Sequence, residues 1–151
     1  MHPALNERLT LEQLEEAFQL QELRVPGVAL EARSYPVFYV RFTTVRNTER
    51  LLRFDGRDYD FQPMDAELVD PVTRALLPPA AWLIRDGKPC PPHPLQDGRP
   101  FLCITGTRAY YTHPNHSPRI TGERWERHRA AMPIGEILSF IQGRFASGRW
   151  I

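Results

Sequence analysis

Fifteen of the 151 residues are proline, and that number restricts the fold more than any other feature of the chain. Each proline fixes φ and removes a backbone donor. A packed domain therefore holds so many only if it has few, short regular elements and long ordered connections. A chain of this length suits one domain, large enough for a real core and too small for two ordinary ones, so residues 1–151 are read as one unit. An apolar fraction of 42% and a charged fraction of 25% are globular values, and no apolar run approaches the roughly 20 residues of a membrane span. Residues 1–8 lack the basic and then apolar pattern of a secretory signal, so the expected location is cytoplasmic. A formal charge of +1 supplies no long-range pull toward nucleic acid or an anionic membrane. Two cysteines make no disulfide framework, and a reducing compartment keeps both as thiols.

Thr10 followed by Gln13 has capping-box spacing, and Leu11, Leu14, Ala17 and Phe18 recur on one face. This pattern predicts an amphipathic helix over residues 11–23, stopped by Val25-Pro26-Gly27. Residues 28–33 and 35–44 read as adjacent antiparallel strands, the second alternating Phe38, Val40 and Phe42 against Val37, Tyr39 and Arg41. Shorter runs at 51–54 and 66–69 complete a four-stranded meander. Residues 70–100, dense in proline, glycine and charge, form one ordered loop anchored by Trp82, Leu83 and Ile84; connections this long inside a compact domain are often functional. Pro133 opens a last helix, in which Ile134, Ile137, Leu138, Ile141 and Phe145 fall at core-facing spacing, and Gly143 frays its end. The predicted class is α+β: N-terminal helix, four-stranded antiparallel meander, long ordered crossing loop carrying a cysteine, C-terminal helix.

Two thiols are candidates for chemistry. Cys90, between Pro89 and Pro91, lies in a strained and poorly packed loop with no apolar pocket and is read as incidental. Cys103 precedes a polar stretch, residues 105–116, that contains Arg108, Tyr110, Tyr111, His113, Asn115 and His116. Such groups can orient an incoming amine, lower a thiol pKa or donate to an oxyanion, while by residue type alone an unpaired cysteine is equally at home as a small buried apolar side chain. His113-Pro114 also suits a plain reverse turn. His93, Cys103, His113, His116 and His128 offer nitrogen and sulfur to zinc, although their spacings match no zinc finger or ribbon. Trp125, with Glu126, Arg127 and His128, is placed as a cap on the core where the chain turns into the last helix. The chain has no glycine-rich phosphate loop, so any activation by ATP takes place on another protein.

The order of elements resembles the ubiquitin-conjugating enzyme fold, and short motifs follow the same order. Tyr59-Asp60-Phe61-Gln62-Pro63-Met64 is similar to the family's tyrosine-proline stretch before the fourth strand, with Asp60 where the family has proline. His93-Pro94-Leu95 stands ten positions before Cys103, as the family's histidine-proline-asparagine does before its catalytic cysteine, with Leu95 replacing asparagine. Gly98-Arg99-Pro100-Phe101-Leu102-Cys103-Ile104 resembles the segment around that cysteine, and Trp125 and the helix after Pro133 take the places of a family tryptophan and its next helix. The resemblance implies an acyltransferase that carries a ubiquitin-like protein as a Cys103 thioester and passes it to an amine. It implies two partners, a ubiquitin-activating-type enzyme and a ubiquitin-like protein ending in glycine, and needs no cofactor or resident metal.

Under this reading His113, His116 and Asn115 assist the transfer, Asn115 or a neighbouring histidine replacing the missing asparagine. His93, Pro94, Tyr110 and Trp125 support the site, with His93 shaping the crossing loop. Glu12, Glu15, Glu16 and Gln19 form the face that docks the activating enzyme; by composition the same residues are simply a solvated helix face. Leu95, the shortened segment between Cys103 and Trp125, and the histidine cluster resemble divergent bacterial members. That likeness implies a bacterial conjugation system, with antiviral defence as its setting and a deconjugating metallopeptidase as a further partner. A non-catalytic binder of a ubiquitin-like protein with the same fold, and a small zinc-binding protein, are the alternatives.

Overall fold

The computed structural model describes residues 2–24, 27–96, 99–116 and 124–151. Helix α1 spans Pro3–Arg24, beginning eight residues before the predicted start. Pro3 takes the first helical position, where a missing N–H costs nothing. Thr10 is not a cap: its hydroxyl donates to the Asn6 carbonyl at 2.8 Å inside the helix. The buried stripe of α1 runs through Asn6, Thr10, Leu14 and Ala17, so its first two turns bury polar residues, which an apolar periodicity does not detect.

Strands β1 (Val28–Ala32), β2 (Val37–Thr43), β3 (Glu49–Asp55) and β4 (Asp65–Val69) form one antiparallel sheet in the order β1-β2-β3-β4. On β2, Phe38, Val40 and Phe42 are fully buried, and Phe38 stacks on Phe54 of β3 at 5.1 Å. The opposite face carries charge in register. Arg53 lies directly across from Glu67 and pairs with it at 3.2 Å, and Arg41 bridges Glu31 and Glu49.

After the sheet, residues 70–96 cross the molecule as an ordered loop with a 3-10 turn at Pro79–Ala81. Trp82 is 2% exposed and meets Trp150 edge to face at 5.1 Å. The chain end pairs with the same loop, Ile151 N–H donating to the Leu83 carbonyl at 3.0 Å. Cys90 is also buried in the core, contrary to its placement in a poorly packed loop. Among the described residues two short helices follow, α2 (Arg108–Thr112) and α3 (Trp125–His128). Helix α4 spans Ile134–Ala146 and passes through Gly143 without fraying there, while Pro133 is its extended N-cap. It packs against α1 and β2, Phe145 lying 5.6 Å from Phe42, so the core lies between α4 and the sheet with α1 against its flank.

Candidate active site

Cys103 sits in a tight backbone reversal. Ile104 N–H donates to the Leu102 carbonyl at 2.8 Å, a two-residue closure that makes Cys103 the centre of a γ-turn, inverse because its φ is not positive. Leu102 and Ile104 are each 2% exposed, whereas Cys103 is half-buried. Its neighbours thus anchor the loop and the thiol stands at the apex.

The next turn explains how the loop is held. Thr107 N–H donates to the Ile104 carbonyl at 3.1 Å and Gly106 has φ +102°, the type II geometry that requires glycine at this position. A Cβ on Gly106 would lie 2.5 Å from Ile137 Cγ1, so α4 packs directly under the loop. Buried Thr107 donates its hydroxyl to the Ile104 carbonyl at 2.8 Å, and Arg108 N–H reaches the Met64 carbonyl at 2.8 Å. The cysteine loop is therefore tied to α4 on one side and to the entrance of β4 on the other. Arg108 also pairs with Asp65 at 3.1 Å; burial raises the Asp65 pKa and the Arg108 charge opposes the shift.

His93 is 1% exposed and both its nitrogens are in use. Nδ1 accepts from Leu95 N–H at 3.0 Å, which leaves the proton on Nε2, facing the Ala109 carbonyl at 3.1 Å and the Thr112 hydroxyl at 3.2 Å. The side chain clamps the crossing loop to α2. Leu95 itself is 69% exposed, and Pro94 beside it is exposed as well.

His113 follows α2 and stacks on Phe101 at 4.1 Å, with His93 edge-on at 5.3 Å. Phe101 therefore joins His113 to the cysteine loop. His113 Nδ1 accepts from Asn115 N–H at 3.1 Å, which in the neutral ring leaves the proton on Nε2. Asn115 is exposed in the 3-10 turn Pro114–His116; the His116 side chain lies outside the described residues, as does Gly98. Tyr110 meets Tyr111 edge to face. Tyr111 hydrogen-bonds His128 Nδ1 at 3.1 Å and packs on Trp125. Trp125 is 5% exposed and donates to the Asp60 carbonyl at 3.0 Å.

Cys90 donates its thiol to the Phe101 carbonyl at 3.3 Å. Burial pushes that thiol up to about 11, and the charge on Cys103 adds to the shift. Phe101, Gly106, Thr107 and Thr112 escaped the sequence reading, although Thr105-Gly106-Thr107, one residue beyond the cysteine, is a turn signal that points to two of them. Among the described residues no three His, Cys, Asp or Glu side chains converge as a metal site. Glu12, Glu15, Glu16 and Gln19 are exposed on α1, Glu12 pairing with Arg8 and Glu15 with Arg33. Among the described residues no helix is long and apolar enough to cross a membrane.

No family model matches the chain. It is similar to the uncharacterized protein y4jH of Sinorhizobium fredii, at 28% identity, the match covering 78% of this chain and 68% of the relative.

Proposed function

We propose that this protein is a ubiquitin-conjugating-type carrier that holds a ubiquitin-like protein as a thioester on Cys103. The observation that supports this best is the γ-turn at Cys103, which keeps a half-buried thiol at the apex of a loop whose flanking residues are buried. The chemistry needs little more. The Cys103 thiolate attacks the activating enzyme's thioester carbonyl and that enzyme's thiolate departs; a target amine then attacks the new thioester, Cys103 leaves as thiolate, and the nitrogen loses its proton. His113, stacked on Phe101 beside the cysteine loop, is the ring suited to act on the oxyanion of that second step. Exposed Asn115 stands on the turn that follows, His116 is the next residue of the chain, and the exposed carboxylates of α1 offer a face to the activating enzyme. A bacterial conjugation system, with antiviral defence as its setting and a deconjugating metallopeptidase as partner, fits this reading.

The test is incubation with the cognate activating enzyme, ubiquitin-like protein and ATP, read on a non-reducing gel. A thiol-sensitive adduct is expected with the parent and with Cys90→Ser. Cys103→Ser should replace it with a thiol-resistant oxyester or with nothing. An adduct that survives loss of Cys103, or no adduct with any activating enzyme of the same system, overturns the proposal.

A further inference from the structure

A hollow of about 320 Å³ opens between β4 and the crossing loop, at the lower end of the range for ligand pockets, roughly 300–1,000 Å³. Leu68, Leu77, Pro79, Trp82 and Leu102 supply its apolar walls. It lies where the outer edge of β4 has a gap. At one end of the strand, Leu77 N–H donates to the Leu68 carbonyl at 3.1 Å; at the other, Arg108 N–H donates to the Met64 carbonyl at 2.8 Å. Backbone polar groups of a strand point to the same side every second residue. With Met64 and Leu68 both facing outward, Ala66 between them also turns its N–H and C=O outward. Ala66 lines the hollow, and among the described residues nothing pairs with its outward groups. The open edge between the two blocked ends is roughly 13 Å at about 3.3 Å per residue.

Trp82 is 2% exposed and contributes apolar wall. The charges at the rim are already matched: Asp65 pairs with Arg108, and Glu67 lies between Arg53 and Arg99. The vacancy therefore calls for an uncharged occupant offering one donor and one acceptor at strand spacing and an apolar side chain.

We infer that this hollow binds an extended, uncharged apolar peptide segment of about two residues, which fills the gap in the edge of β4 by strand addition. One residue of the segment exchanges hydrogen bonds with Ala66, and its side chain enters the walls formed by Leu77 and Leu102. The inference does not depend on any chemistry at Cys103.

The probe is N-acetyl-leucyl-leucinamide, titrated into the full chain and followed by the amide signal of Ala66 and the indole signal of Trp82, the latter identified with Trp82→Phe. Saturable movement of both is expected. Ala66→Pro, which removes an outward N–H at an edge position that tolerates proline, should weaken binding about fivefold. If Ala66→Pro fails to fold, a probe methylated at its central amide nitrogen makes the same comparison on the parent protein. Movement of the indole without the Ala66 amide, or equal binding of the methylated and unmethylated probes, overturns strand addition and leaves an apolar pocket only. No movement of either signal overturns the site.

Discussion

At Cys90 the thiol is 5% exposed and donates to the Phe101 carbonyl, while Cys103 stands half-buried at a γ-turn apex. A thiol raised to about 11 is thiolate at only about one part in a thousand at pH 8. A polar maleimide at pH 8 should therefore modify Cys103 in the folded protein and Cys90 only after unfolding; mass mapping of the labelled peptides decides it, and rapid labelling of Cys90 under native conditions contradicts the assignment. The same shift has a stability consequence. Because the folded state holds the Cys90 proton more tightly than the unfolded chain, whose value is 9.0, its contribution is intact below about pH 9 and declines as pH rises toward 11. Cys90→Ala should flatten the fall in unfolding free energy over that window. Gly106 is the other residue on which the loop turns. Gly106→Ala combines a positive φ, about 1–3 kcal/mol, with overpacking against Ile137, about 1–3 kcal/mol. A loss of about 2–6 kcal/mol is expected in urea unfolding, and a loss below about 1 kcal/mol would mean that the loop can slide off α4.

At the scale of elements, the joint between α1 and α4 depends on a side chain whose local pattern suggested a different task. Gln13 was expected to complete a capping box for its own helix. Instead its Oε1 accepts from Ile134 N–H at 3.0 Å, at the first residue of α4, and from the Tyr59 hydroxyl at 2.7 Å. It is thus the cap of a helix 121 residues further along the chain. Pro133, the positional N-cap, provides no side-chain acceptor. Gln13→Leu should cost about 1–2 kcal/mol, in the range of a lost cap, since the Tyr59 hydroxyl keeps a contact with the Met132 carbonyl at 3.2 Å. Gln13→Glu keeps the acceptor and places a negative charge at a helix N-terminus, so it should stay within about 1 kcal/mol of the parent. Thermal unfolding of the two variants side by side separates capping from packing: equal losses would assign the effect to packing.

At the scale of the whole molecule, the crossing loop is held by the far end of the chain. Trp150 meets Trp82 at 5.1 Å and Phe145 at 5.3 Å, and Arg85 N–H donates to the Arg149 carbonyl. Trp150→Ala should cost about 3–5 kcal/mol. Because Cys90 N–H donates to the Trp82 carbonyl, loosening Trp82 should also raise native-state labelling of Cys90 more than that of Cys103. If both thiols accelerate equally, the loop opens only with global unfolding.

Local pattern determined the sheet, the last helix and the order of elements. Alternation of Phe38, Val40 and Phe42 and the helical spacing of Ile134 through Phe145 are relations between near neighbours, and burial of a whole face follows from them directly. The ordered crossing loop was legible for the same reason, since proline acts on its own φ and its own N–H. Partners distant in sequence decided the rest. Helix α1 began early because Asn6 and Thr10 are buried polar residues, Asn6 donating to the Tyr35 hydroxyl and Thr10 bonding within its own helix. The two thiols are alike in composition, and only packing puts Cys90 against the Phe101 carbonyl and leaves Cys103 at a turn apex. The proton of His93 stays on Nε2 because Leu95 N–H and the Ala109 carbonyl converge on opposite sides of one ring. A hydrogen bond depends on where two groups meet in space, and chain folding brings that partner from a distance no window along the sequence contains.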